Sequence, residues 1–76
     1  MTQKSLSELK PGDRATIAKI GNDGVIRRRI LDMGVVPGSE IEVLRVAPLG
    51  DPIEFRIRGY NLTLRRSESQ HIVVEA

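Results

Sequence analysis

Apolar residues recur along this chain with a period of two, break once into a period near 3.6, and then return to alternation. In RATIAKI, residues 14–20, Ala15 and Ile17 alternate with Arg14, Thr16 and Ala18, the pattern of a half-buried strand. Ile26, Ile30 and Met33 then fall at i, i+4 and i+7, with Leu31 widening the stripe, which predicts a helix over residues 25–33. Asp23, at the end of the turn Gly21-Asn22-Asp23-Gly24, is placed to cap its start, and Gly34 to take the left-handed conformation that ends it. Pro37-Gly38 turns the chain back.

From Glu40 to Val46 the inward set changes parity. Ile41 and Val43 share one, Leu44 and Val46 the other, and a bulge or sharp bend would bring both sets to one face. Ile53-Glu54-Phe55-Arg56-Ile57-Arg58 alternates without a break. Pairing the two runs across Ala47-Pro48-Leu49-Gly50-Asp51-Pro52 sets Val46 opposite Ile53, Leu44 opposite Phe55, and Arg45 opposite Glu54 on the outer side. Gly59-Tyr60-Asn61 supplies turn residues before the strand Leu62-Thr63-Leu64-Arg65. The register is open by two residues, and either choice keeps Leu62 and Leu64 on the face of Phe55 and Ile57. Residues 66–71, RSESQH, form a polar connection to a last strand marked by Ile72 and Val74.

Near the start, Ser5-Leu6-Ser7-Glu8 fits a capping box, predicting a brief helix with Leu6 and Leu9 on its apolar side before the Lys10-Pro11-Gly12 turn. Five short strands with tight turns predict a mainly β fold, a small SH3-like barrel, because closure removes edges that so small a domain could not cover. The helix would be an insertion after the first strand, plugging one end. We expect residues 1–76 to form a single domain.

At 76 residues without cysteine, neither a disulfide nor a thiolate zinc site staples the fold, which must rest on a closely packed core. The start MTQKSLSELK is polar with no apolar run, and no later segment approaches the roughly 20 apolar residues of a membrane span, so a cytoplasmic protein without membrane insertion is expected. The 12 basic residues, nine Arg and three Lys, stand against 10 acidic ones. Arg27, Arg28 and Arg29 are consecutive, and Arg56, Arg58, Arg65 and Arg66 flank a stretch without acids, a surface able to meet phosphates or acidic protein.

Catalytic chemistry finds little to work with. The only histidine is His71, and the serines at 5, 7, 39, 67 and 69 sit in caps or turns, where local backbone bonding explains them. Ferrous or zinc sites usually draw on two or three histidines, and Glu40 and Glu42 read as a solvated pair. Gly21 to Gly24 lacks the lysine and hydroxyl of a P-loop. Phe55, assigned to the core, and Tyr60 are too few aromatics to line a proline-peptide groove. The chain is therefore expected to be neither an enzyme nor the holder of a metal or cofactor. It reads as a binding module.

The run RRRILDMGVVPGSEIEV, followed by VAPLGDPIEFRIRGY and then L-x-L-R-R, resembles the FeoA family of bacterial ferrous-iron transport accessory proteins, over nearly the whole chain. A related barrel ends the metal-dependent repressors of the diphtheria-toxin-repressor type. Their DNA-binding and dimerisation units would precede it, and this chain begins four residues before its first expected helix, which does not fit a complete repressor. The resemblance implies a cytoplasmic module that binds and modulates FeoB, a membrane transporter with an intracellular GTP-binding domain, and is recruited by it to the inner face of the membrane. The alternative is a basic barrel that binds nucleic acid or acts as a repressor-type regulatory module. Scarce aromatics count against base stacking, and nucleic acid is not the expected partner.

The candidate partner-binding residues are Leu49, Pro48, Gly50 and Asp51 in the loop, with Arg27, Arg28, Leu31 and Met33 on the helix. Pro48 and Pro52 stiffen the loop, Gly50 permits a positive-φ turn, and Asp51 can accept from nearby amides, so Leu49 is held. Two readings of Leu49 stand: a lid folded over the barrel end, or an apolar anchor presented to a partner. For Leu31 and Met33 the choice lies between core and an exposed edge suited to FeoB contact or self-association.

Overall fold

The computed structural model describes residues 2–21 and 24–76. Among them six strands form one antiparallel sheet: β1 (Gln3–Ser5), β2 (Arg14–Ile20), β3 (Glu40–Val46), β4 (Ile53–Ile57), β5 (Tyr60–Leu64) and β6 (Ile72–Glu75), in the order β1-β6-β2-β3-β4-β5. The expected count of five is corrected to six. β1 carries no apolar residue; it is a strand because it pairs with β6, Gln3 opposite Glu75 and Ser5 opposite Val73. The helix α1 (Gly24–Asp32) accordingly follows the second strand, not the first.

Two register shifts bend the sheet toward a barrel. In β3 the pairing steps from Val43↔Phe55 to Arg45↔Glu54, passing over Leu44. The bulge inferred from the parity switch is there, but it sets Val43, not Leu44, opposite Phe55; Leu44 is half-buried. In β2 the shift falls between Ile17 and Lys19, passing over Ala18. An extra residue on one strand raises the local twist and curls the sheet. Its concave face buries Ile17, Ile41, Phe55, Ile57, Leu64, Ile72 and Val74 almost completely.

Ser5 caps the turn of 3₁₀ helix at Leu6–Glu8, with the Glu8 carboxylate accepting from the Ser5 amide at 2.9 Å. Leu6 is thereby driven into the core. α1 buries Ile30 fully, while Ile26, Leu31 and Met33 pack half-buried against the same core. Gly34, at φ 91°, ends it as expected. The assigned cap, Asp23, and the middle of its turn lie outside the described residues. The β4–β5 turn is Arg58-Gly59, not Gly59-Tyr60-Asn61, and both its residues have positive φ, 52° and 84°. Residues 66–71 are not wholly irregular, since Arg66–Ser69 forms the short helix α2.

Candidate partner-binding site

The loop joining β3 to β4 is held from within and from outside. Within it, the Gly50 amide donates to the Ala47 carbonyl at 2.7 Å, with Gly50 at φ 89°, and the Ala47 amide donates to the Pro52 carbonyl at 3.0 Å. From outside, the Asp51 carboxylate accepts the Arg66 amide at 2.9 Å at the start of α2. The Arg66 guanidinium donates twice to the Gly50 carbonyl, from Nε at 3.2 Å and Nη2 at 3.1 Å, and reaches the Ser7 carbonyl with Nη1 at 3.2 Å. One half-buried arginine thus ties the loop to the N-terminal turn.

At the tip of this fixed loop, Leu49 is 98% exposed. It does not fold over the barrel end. A leucine left in water on an ordered backbone has already given up the loop entropy that docking would otherwise cost. Pro48 is exposed beside it; a groove of about 440 Å³ runs from the foot of the loop, past Pro48 and Pro52, to Glu54 and Thr63.

The helix residues form a second surface. Arg27 and Arg28 are exposed, whereas Leu31 and Met33 are half-buried on the core and offer only part of their surface. A shallow groove of about 730 Å³ is lined by Val25, Arg28, Arg29, Asp32 and Met33. Val25 is 82% exposed and was not singled out by the periodicity. Its signal was present: it shares its helix face with Arg28, Arg29 and Asp32, at i+3, i+4 and i+7, as an apolar residue on a polar side. The loop and the helix line separate grooves.

The remaining arginines do not make one phosphate-binding row. Arg56 Nε donates to the Asn61 side chain at 3.2 Å, Arg58 Nε to the buried Ser39 hydroxyl at 3.2 Å, and Arg66 is committed to the loop. Ion pairs join Arg14 to Glu42, Arg29 to Glu68 and Arg45 to Glu54, all with exposed arginines and hence of small energetic weight. Among the described residues no three His, Asp or Glu side chains come together as a metal site, and no helix is long and apolar enough to cross a membrane.

The family model of the FeoA domain matches residues 4–76. The chain belongs to the FeoA family. It is 50% identical over 70 residues to a fusion of Fe(2+) transport protein A with the Fe(2+) transporter FeoB from Porphyromonas gingivalis, covering 92% of this chain and 8% of that protein's length. The solution structure of a FeoA-like protein from Clostridium acetobutylicum superposes with a TM-score of 0.93 at 43% identity, over 100% of this chain and 90% of the other. The zinc complex of Stenotrophomonas maltophilia FeoA, described as an SH3-domain protein, gives 0.81 at 28% identity, over 95% and 89%. The SH3-like fold inferred from the strand pattern is that of the family, which is linked to ferrous-iron transport.

Proposed function

We propose that this chain is a non-enzymatic, cytoplasmic accessory protein of ferrous-iron uptake that binds the cytoplasmic part of a FeoB-type transporter and modulates it. The observation that carries this reading is Leu49, wholly exposed at the tip of a loop whose backbone is pinned by Asp51 and Arg66. A rigid loop presenting one large apolar side chain between Pro48 and Gly50 suits a shallow pocket on a folded partner. Arg27 and Arg28, exposed on α1, add a positive field that speeds encounter with an acidic surface. The fusion of a relative's FeoA part to FeoB supports the partner: two modules on one chain meet at high effective concentration.

The test is capture from membranes of the native host, with this protein as bait and bound partners identified by mass spectrometry. A FeoB-type transporter should be retained at low salt and lost from a bait with Leu49→Asp. Recovery of nucleic acid in its place, or of no transporter from the unaltered bait, overturns the proposal.

A further inference from the structure

β5 ends the sheet, and its outer edge is bare. Arg58 and Gly59 both have positive φ, the type I′ geometry of a two-residue hairpin. In such a hairpin the flanking pair, here Ile57 and Tyr60, exchanges backbone hydrogen bonds, and bonded and non-bonded pairs alternate from there. Tyr60, Leu62 and Leu64 therefore direct their amides and carbonyls at β4. Asn61 and Thr63 direct theirs away, both are exposed, and no backbone bond is made by either among the described residues.

Edges of this kind are usually blunted by shortness, a lysine, a proline or a bulge. The opposite edge, β1, has three residues. β5 has five, YNLTL, with no charge and no proline, and it pairs with β4 without a register shift. Its two ends also touch the two surfaces described above. Thr63 lines the groove at the foot of the Leu49 loop, and the Tyr60 hydroxyl donates to the Met33 carbonyl beside α1.

We propose that β5 receives an extended acidic segment of the transporter's cytoplasmic part as an added strand, bonded to the amides and carbonyls of Asn61 and Thr63. This rests on the FeoB-type partner argued above and names how that partner is held. Charge selects the occupant. Arg56 lies against Asn61, Arg58 precedes β5 and Arg65 follows it, and none of the three is in an ion pair among the described residues. Of the acids near these arginines, Glu54, opposite Thr63, is matched by Arg45 at 2.8 Å and Glu42, opposite Arg56, by Arg14 at 3.8 Å, while Glu40 shares a groove with Arg56 and Arg58. A second copy of this chain fits less well. Pairing two β5 strands about Leu62, so that Asn61 bonds Thr63, sets the Arg58 end of each copy against the Arg65-Arg66 end of the other, and like charges facing across strands are unfavourable.

Amide hydrogen exchange, followed residue by residue by NMR with and without the isolated cytoplasmic part of the transporter, tests this on the unaltered protein. The Asn61 and Thr63 amides should slow at least tenfold on binding. Thr63→Pro removes one outward donor and none of the β4–β5 ladder bonds, so it should weaken binding at least tenfold, whereas Thr63→Val keeps the amide and should bind like the parent. Binding that leaves both amides exchanging freely overturns strand addition while the partner stands. No binding by the parent overturns both. Protection that grows with this protein's own concentration, without the transporter, would make a second copy the occupant and overturn the proposal too.

Discussion

The Tyr60 hydroxyl donates to the Met33 carbonyl at 2.6 Å, joining the first residue of β5 to the end of α1. The last carbonyls of a helix have no partner within it, and this bond satisfies one from a strand that lies 27 residues further along the chain. Gly34 makes the approach possible. It sits at φ 91°, and a Cβ there would collide with the Tyr60 hydroxyl.

Gly34→Ala is therefore expected to destabilise the protein by roughly 1–3 kcal/mol from backbone strain, with the collision in addition. Tyr60→Phe should cost about 1 kcal/mol, one hydrogen bond at a partly exposed site. The two changes share a contact, so they should not add. In the double variant the collision with the hydroxyl is relieved, leaving the tight contact with the ring's Cζ and the backbone strain, and its urea midpoint should lie above that calculated from the two single variants. Strict additivity would show that the hydroxyl and the glycine are not in contact.

How much of this was legible beforehand depends on whether a residue's conformation is set by its neighbours in sequence or in space. The β3–β4 hairpin is legible at its loop end, Arg45 facing Glu54 and Val46 facing Ile53, because alternation and a proline-bounded loop specify the same register there. Parity reveals that one residue is inserted in β3 but not which one, so it pairs Leu44 with Phe55 where the sheet pairs Val43. β1 was invisible, since Gln3-Lys4-Ser5 has no apolar periodicity and becomes a strand only against β6. Arg58 misplaced the next turn: arginine does not favour positive φ, and its bond to the buried Ser39 hydroxyl, 19 residues away, compensates. Of the two readings of Leu49, its exposure excludes the lid folded over the barrel end. Arg66, which does the holding, reads in sequence as one more surface cation, because no local pattern links it to Gly50.

Arg66→Ala should remove all three guanidinium bonds to the Gly50 and Ser7 carbonyls and destabilise by roughly 1–3 kcal/mol. Arg66→Lys should recover only part, because a single ammonium cannot span both carbonyls with the same fork. The loop should report the change locally. Exchange of the Gly50 amide, bonded to Ala47, is expected to accelerate more in both variants than that of amides within β4. A loop equally protected without the guanidinium would place the restraint in the prolines alone.

Reversing Arg27 and Arg28 to Glu together should leave the melting midpoint close to the parent's, within about 0.5 kcal/mol, since both side chains are exposed and neither is ion-paired among the described residues. Association is where the change should appear. Binding to the transporter's cytoplasmic part at low ionic strength should slow by an order of magnitude in on-rate, and the difference from the parent should shrink as added salt shortens the screening length below about 8 Å. Identical on-rates at low salt would make this face of α1 a solvated surface and nothing more.

Leu49 separates stability from function most cleanly. A buried leucine cut back to alanine loses roughly 2–5 kcal/mol, a large share of what holds so small a domain together. At 98% exposure there is no packing to lose, so Leu49→Ala should shift the unfolding free energy by no more than about 0.5 kcal/mol and leave the denaturant slope unchanged. Affinity for the transporter should nevertheless fall by an order of magnitude, about 1.4 kcal/mol, because a central apolar anchor carries a large part of an interface's energy. Ferrous-iron uptake by cells whose only copy carries the change should fall with it, at unchanged protein level. The loop's ties to Arg66 are untouched by the substitution, so a loss of binding would report the side chain and not a disordered backbone. A variant as stable as the parent that also binds and supports uptake as well would remove Leu49 from the interface, and leave the ordered loop without a role in docking.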